Sequence, residues 1–129
     1  MAGYYAPPTN DIVVTHVIGP GPAATHHRTR FVPDRAYDDG VLSDLWETSS
    51  HCIRYVGDWH THPGGSSHLS ATDKAFMKHS LRNRKSFLKY AVVAIVFGQL
   101  TDVRFWYLDA LGRDIWNLRK FRELDLVQY

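Results

Sequence analysis

The stretch GDWHTHPGGSSHLSATD, residues 57–73, places three histidines, an adjacent glycine pair and two acids within seventeen positions. Residues two apart in an extended segment point to the same side, so the side chains of His60 and His62 can converge on one point. Asp73, in the first turn of a helix that starts near residue 71, can add a carboxylate oxygen there. Two imidazoles and one carboxylate, with a fourth position left to water, are typical of catalytic zinc. The stretch therefore predicts a metal site formed by a strand end and a helix start.

Simpler roles compete for several residues of this stretch. Ser70 and Asp73 have the spacing of a loose capping box, in which the serine caps a helix whose first turn carries the acid. Any helix could use that pair. In the metal-site interpretation, the Ser70 hydroxyl instead donates a hydrogen bond to an oxyanion formed in the reaction. His68 is expected to be a solvated loop residue, and residues 64–67 are either a flexible loop or the open side of the site.

Composition limits the class of protein. The chain has 129 residues, of which 44% are hydrophobic and 22% charged, and this predicts one domain over 1–129 with a core of its own. A net charge of +2 is too small to imply nucleic-acid binding by itself. Its one cysteine, Cys52, excludes an internal disulfide and suits a reducing compartment. No apolar run reaches membrane-spanning length and the first residues lack a secretory pattern, so we expect a cytoplasmic protein with no membrane partner.

Hydrophobic patterning predicts several strands around the quoted stretch. Continuous β-branched runs bounded by turn residues indicate buried strands. The expected strands are 11–18, 30–33, 52–59, 90–98 and 103–109, followed by the turn LGRD and a hairpin strand over IWNLRKF, 115–121.

Two helices are expected among these strands. Asp34 is placed to cap the first, which reaches about Ser50. The apolar side chains of this helix recur on one face: Tyr37, Val41, Leu42, Leu45 and Trp46. A second helix is expected from about Ala71 to Leu81. Because strands and helices mix without strict alternation, the sequence predicts an α/β fold of the α+β type, a mixed sheet with helices against it.

The histidine stretch also matches a known motif. His60-Thr-His62-Pro63, six residues and then Ser70-x-x-Asp73 reproduce every fixed position of the JAMM motif, His-x-His-Pro-x6-Ser-x-x-Asp. The chain thus resembles the JAB/MPN metalloproteases. It is similar to the bacterial stand-alone JAB domains over most of its length, since DIVVTHVIGPGP, FVPD, a helix ending in LW and YVGDWHTHP follow in the same order.

This resemblance implies a fold, a cofactor and a reaction. The fold would be a curved mixed sheet between helices. His60, His62 and Asp73 would bind a Zn²⁺ ion, and Ser70 would stabilise the tetrahedral intermediate. Family members hydrolyse peptide or isopeptide bonds after the C-terminal tail of ubiquitin or ubiquitin-like proteins, so a ubiquitin-like protein is the expected substrate partner.

One family residue has no counterpart in the sequence. The family uses a glutamate on an N-terminal strand as general base, and this position would fall before Met1. Glu47, near the end of the first helix, and Glu123, in a charged C-terminal segment, give no reason to face the metal. Asp58 points with the two histidines by alternation, as a partner of an imidazole or as an exposed acid.

Three explanations of the missing glutamate remain open. The sequence lacks the strand of a complete enzyme, or it is a metal-binding relative without catalysis, or a partner supplies the strand. We favour the first, because all three ligands and Ser70 are retained. An absent strand would leave a sheet edge exposed, which invites self-association.

Two alternatives to a hydrolase follow from the sequence. The same fold with the same zinc could recognise a ubiquitin-like tail without cutting it. A nucleic-acid-binding domain is the third hypothesis, supported only by the basic segment LRNRKSFLK, 81–89, and a sequence pI of 8.8. The zinc hydrolase is preferred, with no nucleic-acid partner.

Overall fold

A computed structural model of the chain describes residues 1–7, 9, 11–27, 31–62, 65–82, 88, 90–99 and 102–109, together with the backbone of 121–124. The chain divides into two compact units, Met1–Val56 (unit 1) and Gly57–Tyr129 (unit 2). Each unit combines strands with a helix, which confirms the predicted α/β fold class.

Unit 1 is built around short antiparallel strands. Its described elements are β1 (Ala2–Ala6), β2 (Asp11–His16), β3 (Thr25–His26), β4 (Phe31–Val32), α1 (Arg35–Thr48) and β5 (Arg54–Tyr55). Strand β1 lies in the centre of a sheet of order β2-β1-β5, and β3 pairs with β4. The sequence does not predict β1. This strand depends on neighbours on both sides, and β5 is about fifty residues away along the chain.

Helix α1 begins where the sequence predicts. The Asp34 side chain accepts the backbone N–H of Tyr37 over 3.1 Å through Oδ1, and that of Ala23 over 3.0 Å through Oδ2. The capping role of Asp34 is therefore confirmed. No residue of α1 is buried, and Trp46, on its expected apolar face, is 37% exposed. Periodicity identifies the apolar side of a helix but not how much structure covers it. Strand β5, which α1 contacts, is only two residues long.

Unit 2 contains a four-stranded mixed sheet. Its described elements are β6 (Gly57–Thr61), α2 (Ala71–Arg82), β7 (Tyr90–Phe97), β8 (Asp102–Asp109) and β9 (Phe121–Leu124). The strand order is β6-β7-β8-β9. Strands β6 and β7 are parallel and α2 lies between them in the chain, as a parallel pair requires a crossover. The other neighbours are antiparallel, so the predicted mixed sheet is confirmed in this unit.

The hydrophobic core of unit 2 lies between α2 and one face of this sheet. It consists of Leu69, Met77, Ala91, Val93, Ile95 and Leu108. Side chains of paired residues on neighbouring strands share a face, and Ile95 pairs with His60 on one side and Arg104 on the other. The histidine strand therefore presents His60 on the same side as the core.

Several predicted bounds are refined by the structure. The second helix and the strands at 90–98 and 103–109 agree within a residue or two with α2, β7 and β8. The predicted strand 52–59 is divided at Val56, and Cys52, at its start, is exposed. The hairpin partner of β8 is described at Phe121–Leu124, whereas LGRD and 115–120 lie outside the described residues.

Neither helix in the described part of the chain has the length and apolar character needed to cross a membrane. Most of the basic segment 81–89 also falls outside the described residues. The nucleic-acid-binding hypothesis that this segment supports is therefore not tested by the structure.

Candidate metal centre

Strand β6 positions the two histidines. It lies at one edge of its sheet, with His60 beside Ile95 in the parallel register. Just beyond the strand, the backbone N–H of His62 donates to the carbonyl of Val96 over 2.9 Å. The main chain is thus held by β7 through both histidine positions. Alternation then directs both imidazoles to the face that carries the core and α2.

Reciprocal hydrogen bonds start α2 and orient the third residue of the set. The backbone N–H of Asp73 donates to Ser70 Oγ over 3.1 Å, and the backbone N–H of Ser70 donates to Asp73 Oδ2 over 2.7 Å. This is capping-box geometry with an aspartate in place of the usual glutamate. The simpler interpretation of the pair is therefore present in the structure. It holds the Asp73 side chain in a place where only 12% of it is exposed.

The nitrogen and oxygen atoms of the three side chains converge. His60 Nε2 lies 3.0 Å from His62 Nε2 and 3.2 Å from Asp73 Oδ1, and His62 Nε2 lies 3.5 Å from Asp73 Oδ2. Ligands bound to a tetrahedral zinc ion at about 2.0–2.1 Å stand about 3.3 Å from one another. These residues also form the one group in the described part of the chain whose ligand atoms could hold a metal ion. The spacing fits a small ion.

A backbone carbonyl sets the tautomer of His62. Its Nδ1 lies 2.8 Å from the carbonyl oxygen of Ser66. A carbonyl oxygen only accepts, so Nδ1 carries the proton in this hydrogen bond. In the neutral ring, Nε2 then keeps its lone pair and directs it toward His60 and Asp73, as a metal ligand must.

The surroundings favour the protonation states that metal binding requires. Burial lowers the pKa of His60, and His62 adds to this against the opposing charges of Asp73 and Asp58. For Asp73, burial alone would raise the pKa, but the hydrogen bonds with Ser70 and the two histidines outweigh it, so the pKa lies below its ordinary value. Both shifts favour a neutral His60 and an ionised Asp73 near neutral pH.

Two residues near the site escaped the sequence prediction. Arg104 and Trp106 of β8 donate hydrogen bonds to Ser67, at 3.0 Å and 3.1 Å, in the segment between β6 and α2. A usable signal was present in the alternation of β8, because Arg104 shares a face with the fully buried Leu108. A charged residue on an apolar face indicates a specific partner.

Comparison with known proteins extends these observations. The family described as prokaryotic homologs of the JAB domain matches residues 2–109. A protein of Sinorhizobium fredii (strain NBRC 101917 / NGR234) named "Probable metalloprotease y4qB" is 30% identical over 97 residues, which is 74% of this chain. A protein of Escherichia coli (strain TW11681) named "CD-NTase/cGAS isopeptidase" is 34% identical over 62 residues, 48% of this chain.

Both relatives are longer than the matched region, which spans 58% of the first and 40% of the second. The family match nevertheless covers unit 1 from Ala2 onward, both helices, and the strands through β8. It includes the two histidines and Asp73. The chain therefore belongs to the family of prokaryotic JAB-domain proteins.

Proposed function

We propose that the protein is a zinc-dependent hydrolase of the JAMM type. The observation that carries this proposal is the convergence of His60, His62 and Asp73 within hydrogen-bonding distances of one another, each side chain partly or largely shielded from water. Zinc suits two imidazoles and one carboxylate, and a three-ligand site leaves a position open for chemistry.

Each residue has a defined task in this proposal. His60, His62 and Asp73 hold the ion; when bound, zinc lowers the pKa of water to about 7 and polarises a carbonyl. Ser70 donates its hydroxyl hydrogen to the oxyanion of the tetrahedral intermediate, while its oxygen accepts the N–H of Asp73. Asp73 itself is unsuited to serve as the base, since its oxygens face both histidines and the Ser70 N–H.

The proposed substrate is the C-terminal tail of a ubiquitin-like protein, joined by a peptide or isopeptide bond to a second group. Two facts support it: the matched relative whose name states an isopeptidase, and the complete JAMM motif. We further propose a cytoplasmic location. The exposed free thiol of Cys52 suits a reducing compartment.

Metal binding is the first test. The purified chain should bind one equivalent of zinc, and His62→Ala or Asp73→Ala should remove most of that affinity because a three-ligand site requires every member. Calorimetric titration measures the effect. Unchanged zinc binding in both variants would contradict the ligand assignment.

Two substitutions of Ser70 separate its capping role from its chemical role. Glycine is nearly as good a helix cap as serine, whereas alanine costs about 1 kcal/mol. Ser70→Gly should therefore retain stability and zinc yet lose cleavage, whereas Ser70→Ala should lose stability as well. Loss of zinc in Ser70→Gly would show that Ser70 belongs to the ligand set.

Cleavage of a fluorogenic ubiquitin-like tail tests the activity itself. A positioned general base contributes about 10²–10⁴ in rate. If a glutamate encoded before residue 1 serves as the base, a form that includes it should be faster than residues 1–129 by such a factor. Changing this glutamate to Gln should abolish the gain. Equal rates for 1–129 and the extended form would place the base within residues 1–129.

A zinc-containing binding module for ubiquitin-like proteins is the second candidate. It would use the same group of His60, His62 and Asp73 and would need no general base. Tight tail binding with bound zinc, and no cleavage by any of the three forms, would support this module over the hydrolase. A panel of several ubiquitin-like tails is needed in that comparison.

A further inference from the structure

The segment that connects β6 to α2 holds one of the proposed ligands. The carbonyl oxygen of Ser66 accepts the Nδ1–H of His62 over 2.8 Å, and this hydrogen bond fixes both the tautomer and the rotation of the ring. An exposed loop does not by itself hold a carbonyl in one place. The next residue, Ser67, shows how this loop is held.

Strand β8 binds Ser67 at two points. Arg104 Nη1 donates to Ser67 Oγ over 3.0 Å, and Trp106 Nε1 donates to the Ser67 carbonyl over 3.1 Å. The two donors are two residues apart on one strand, so both side chains lie on the same face of the sheet and the strand backbone fixes the distance between them. The Ser67 backbone is therefore tied to a rigid element at a sequence distance of 39 residues.

The two donors are themselves well supported. Trp106 packs against the core of unit 2 and pairs with the buried Val93. Arg104 lies with its guanidinium carbon 5.9 Å from the centre of the Phe97 ring, a distance suited to a cation–π contact.

We infer that Arg104 and Trp106 are positioning residues for the metal centre, acting through Ser67 and the adjacent Ser66 carbonyl on the orientation of His62. This inference rests on the proposed metal site. A partner of a metal-bound histidine alters metal affinity by about 10–100-fold when it is removed. We expect about a tenfold loss of zinc affinity from either donor alone, because each acts one residue away from that partner.

Three substitutions test the inference against a merely structural role. Trp106→Phe keeps an aromatic ring in the core and removes the N–H. Arg104→Gln removes the charge and shortens the reach, whereas Arg104→Lys keeps a cationic donor and should restore part of the affinity. Tyr107→Phe is the matched control, since it also removes one polar atom from β8 but at a position that alternates to the other face.

Two measurements are made on each variant. The first is zinc affinity by chelator competition, expected to fall about tenfold in Trp106→Phe and Arg104→Gln, further in their combination, and not in Tyr107→Phe. The second is the ¹⁵N spectrum of His62 in the metal-free protein. We expect the Nδ1–H tautomer in the parent chain and a mixture of tautomers in the variants.

The outcomes separate this inference from the proposed function. Parent-like zinc affinity and a parent-like His62 tautomer in Trp106→Phe and in the double variant would overturn the inference while leaving the metal site intact. A parent chain that binds no zinc would overturn the proposed function. The tautomer measurement would then still decide whether β8 orients His62. If the double variant does not fold, the single Trp106→Phe variant gives the same decision.

Discussion

The two units of the chain use similar elements but differ in how much they bury. Unit 2 contains the whole hydrophobic core cluster, and α2 contributes the fully buried Met77 to it. Helix α1 of unit 1 is longer, yet none of its residues is buried. In the described residues, five of the seven large apolar side chains that are exposed belong to unit 1 (Val17, Phe31, Val32, Tyr37 and Trp46).

The more closely packed unit is also the one that carries the proposed metal ligands. The proposed ligands come from β6, from the residue just beyond it and from the first turn of α2, all in the unit with the packed core. Close packing fixes side-chain positions, because a filled core leaves few alternative arrangements. A metal site requires such fixed side-chain positions. Unit 1 carries none of the proposed ligands, so this requirement does not apply to it.

The largest expected effect is from matched leucine truncations in the two units. Leu108→Ala removes a fully buried side chain of unit 2 and should cost about 2–5 kcal/mol of unfolding free energy. Leu45→Ala removes a half-buried side chain of α1 and should cost less than about 2 kcal/mol. Urea unfolding measures both. Equal losses would show that the two units are packed equally well.

Zinc should stabilise the units unequally. At a zinc concentration a hundredfold above the dissociation constant, the unfolding free energy should rise by about 2.7 kcal/mol. Hydrogen exchange should show the gain in protection mainly in β6 and the first turn of α2, with little in α1. His62→Ala serves as the control that should lose the gain. Uniform protection across both helices would contradict this localisation.

Gly57→Ala should destabilise unit 2. A Cβ at this position would collide with the carbonyl oxygen of Val92 and approach the Val92 Cβ to 2.7 Å. Strands β6 and β7 would have to separate locally, at a cost of about 1–3 kcal/mol typical of overpacking. Zinc affinity should fall as well, because His60 is three residues further along β6. Thermal unfolding and zinc titration test both parts, and a stability equal to that of the parent would contradict the close approach.

Gly40→Ala should have the smallest effect, and of opposite sign. Gly40 lies inside α1 and is exposed, and a Cβ there would meet no atom within 4 Å apart from its chain neighbours and the backbone of its own helix. Alanine should stabilise the helix by about 0.5–1 kcal/mol, since glycine is the poorer helix former. Zinc affinity should not change. A loss of stability in urea unfolding would show that this side of α1 is covered after all.

Local signals account for the parts of the molecule that were predicted correctly. The start of the second helix fits the loose capping-box spacing of Ser70 and Asp73, whose capping hydrogen bonds involve neighbours in the chain. The start of α1 followed from Asp34 for the same reason. The closeness of the His60 and His62 side chains follows from alternation in a strand, while their role as ligands stays a prediction. In each case the deciding contacts join residues at most four apart.

Long-range contacts account for the parts that were missed. Strand β1 pairs with the nearby β2 and also with β5, about fifty residues away. The hold on Ser67, beside the proposed metal centre, depends on Arg104 and Trp106, nearly forty residues away. The depth at which α1 is covered depends on the size of its neighbours. No short segment of the sequence shows which distant residues will make these contacts. The charge of Arg104 on the apolar face of β8 was the one usable indication of a specific partner.

The pairing of Ser70 with Asp73 has a consequence for how the site assembles. Nucleation is the costly step in forming a helix, and here the capping pair favours the first turn of α2. The same carboxylate is the third member of the proposed ligand set, with Oδ2 toward the Ser70 N–H and Oδ1 toward His60. Nucleating the helix and completing the ligand set are therefore one folding event. Conversely, fraying of a single turn withdraws a ligand without unfolding the core, so the ion should exchange at the rate at which that turn opens.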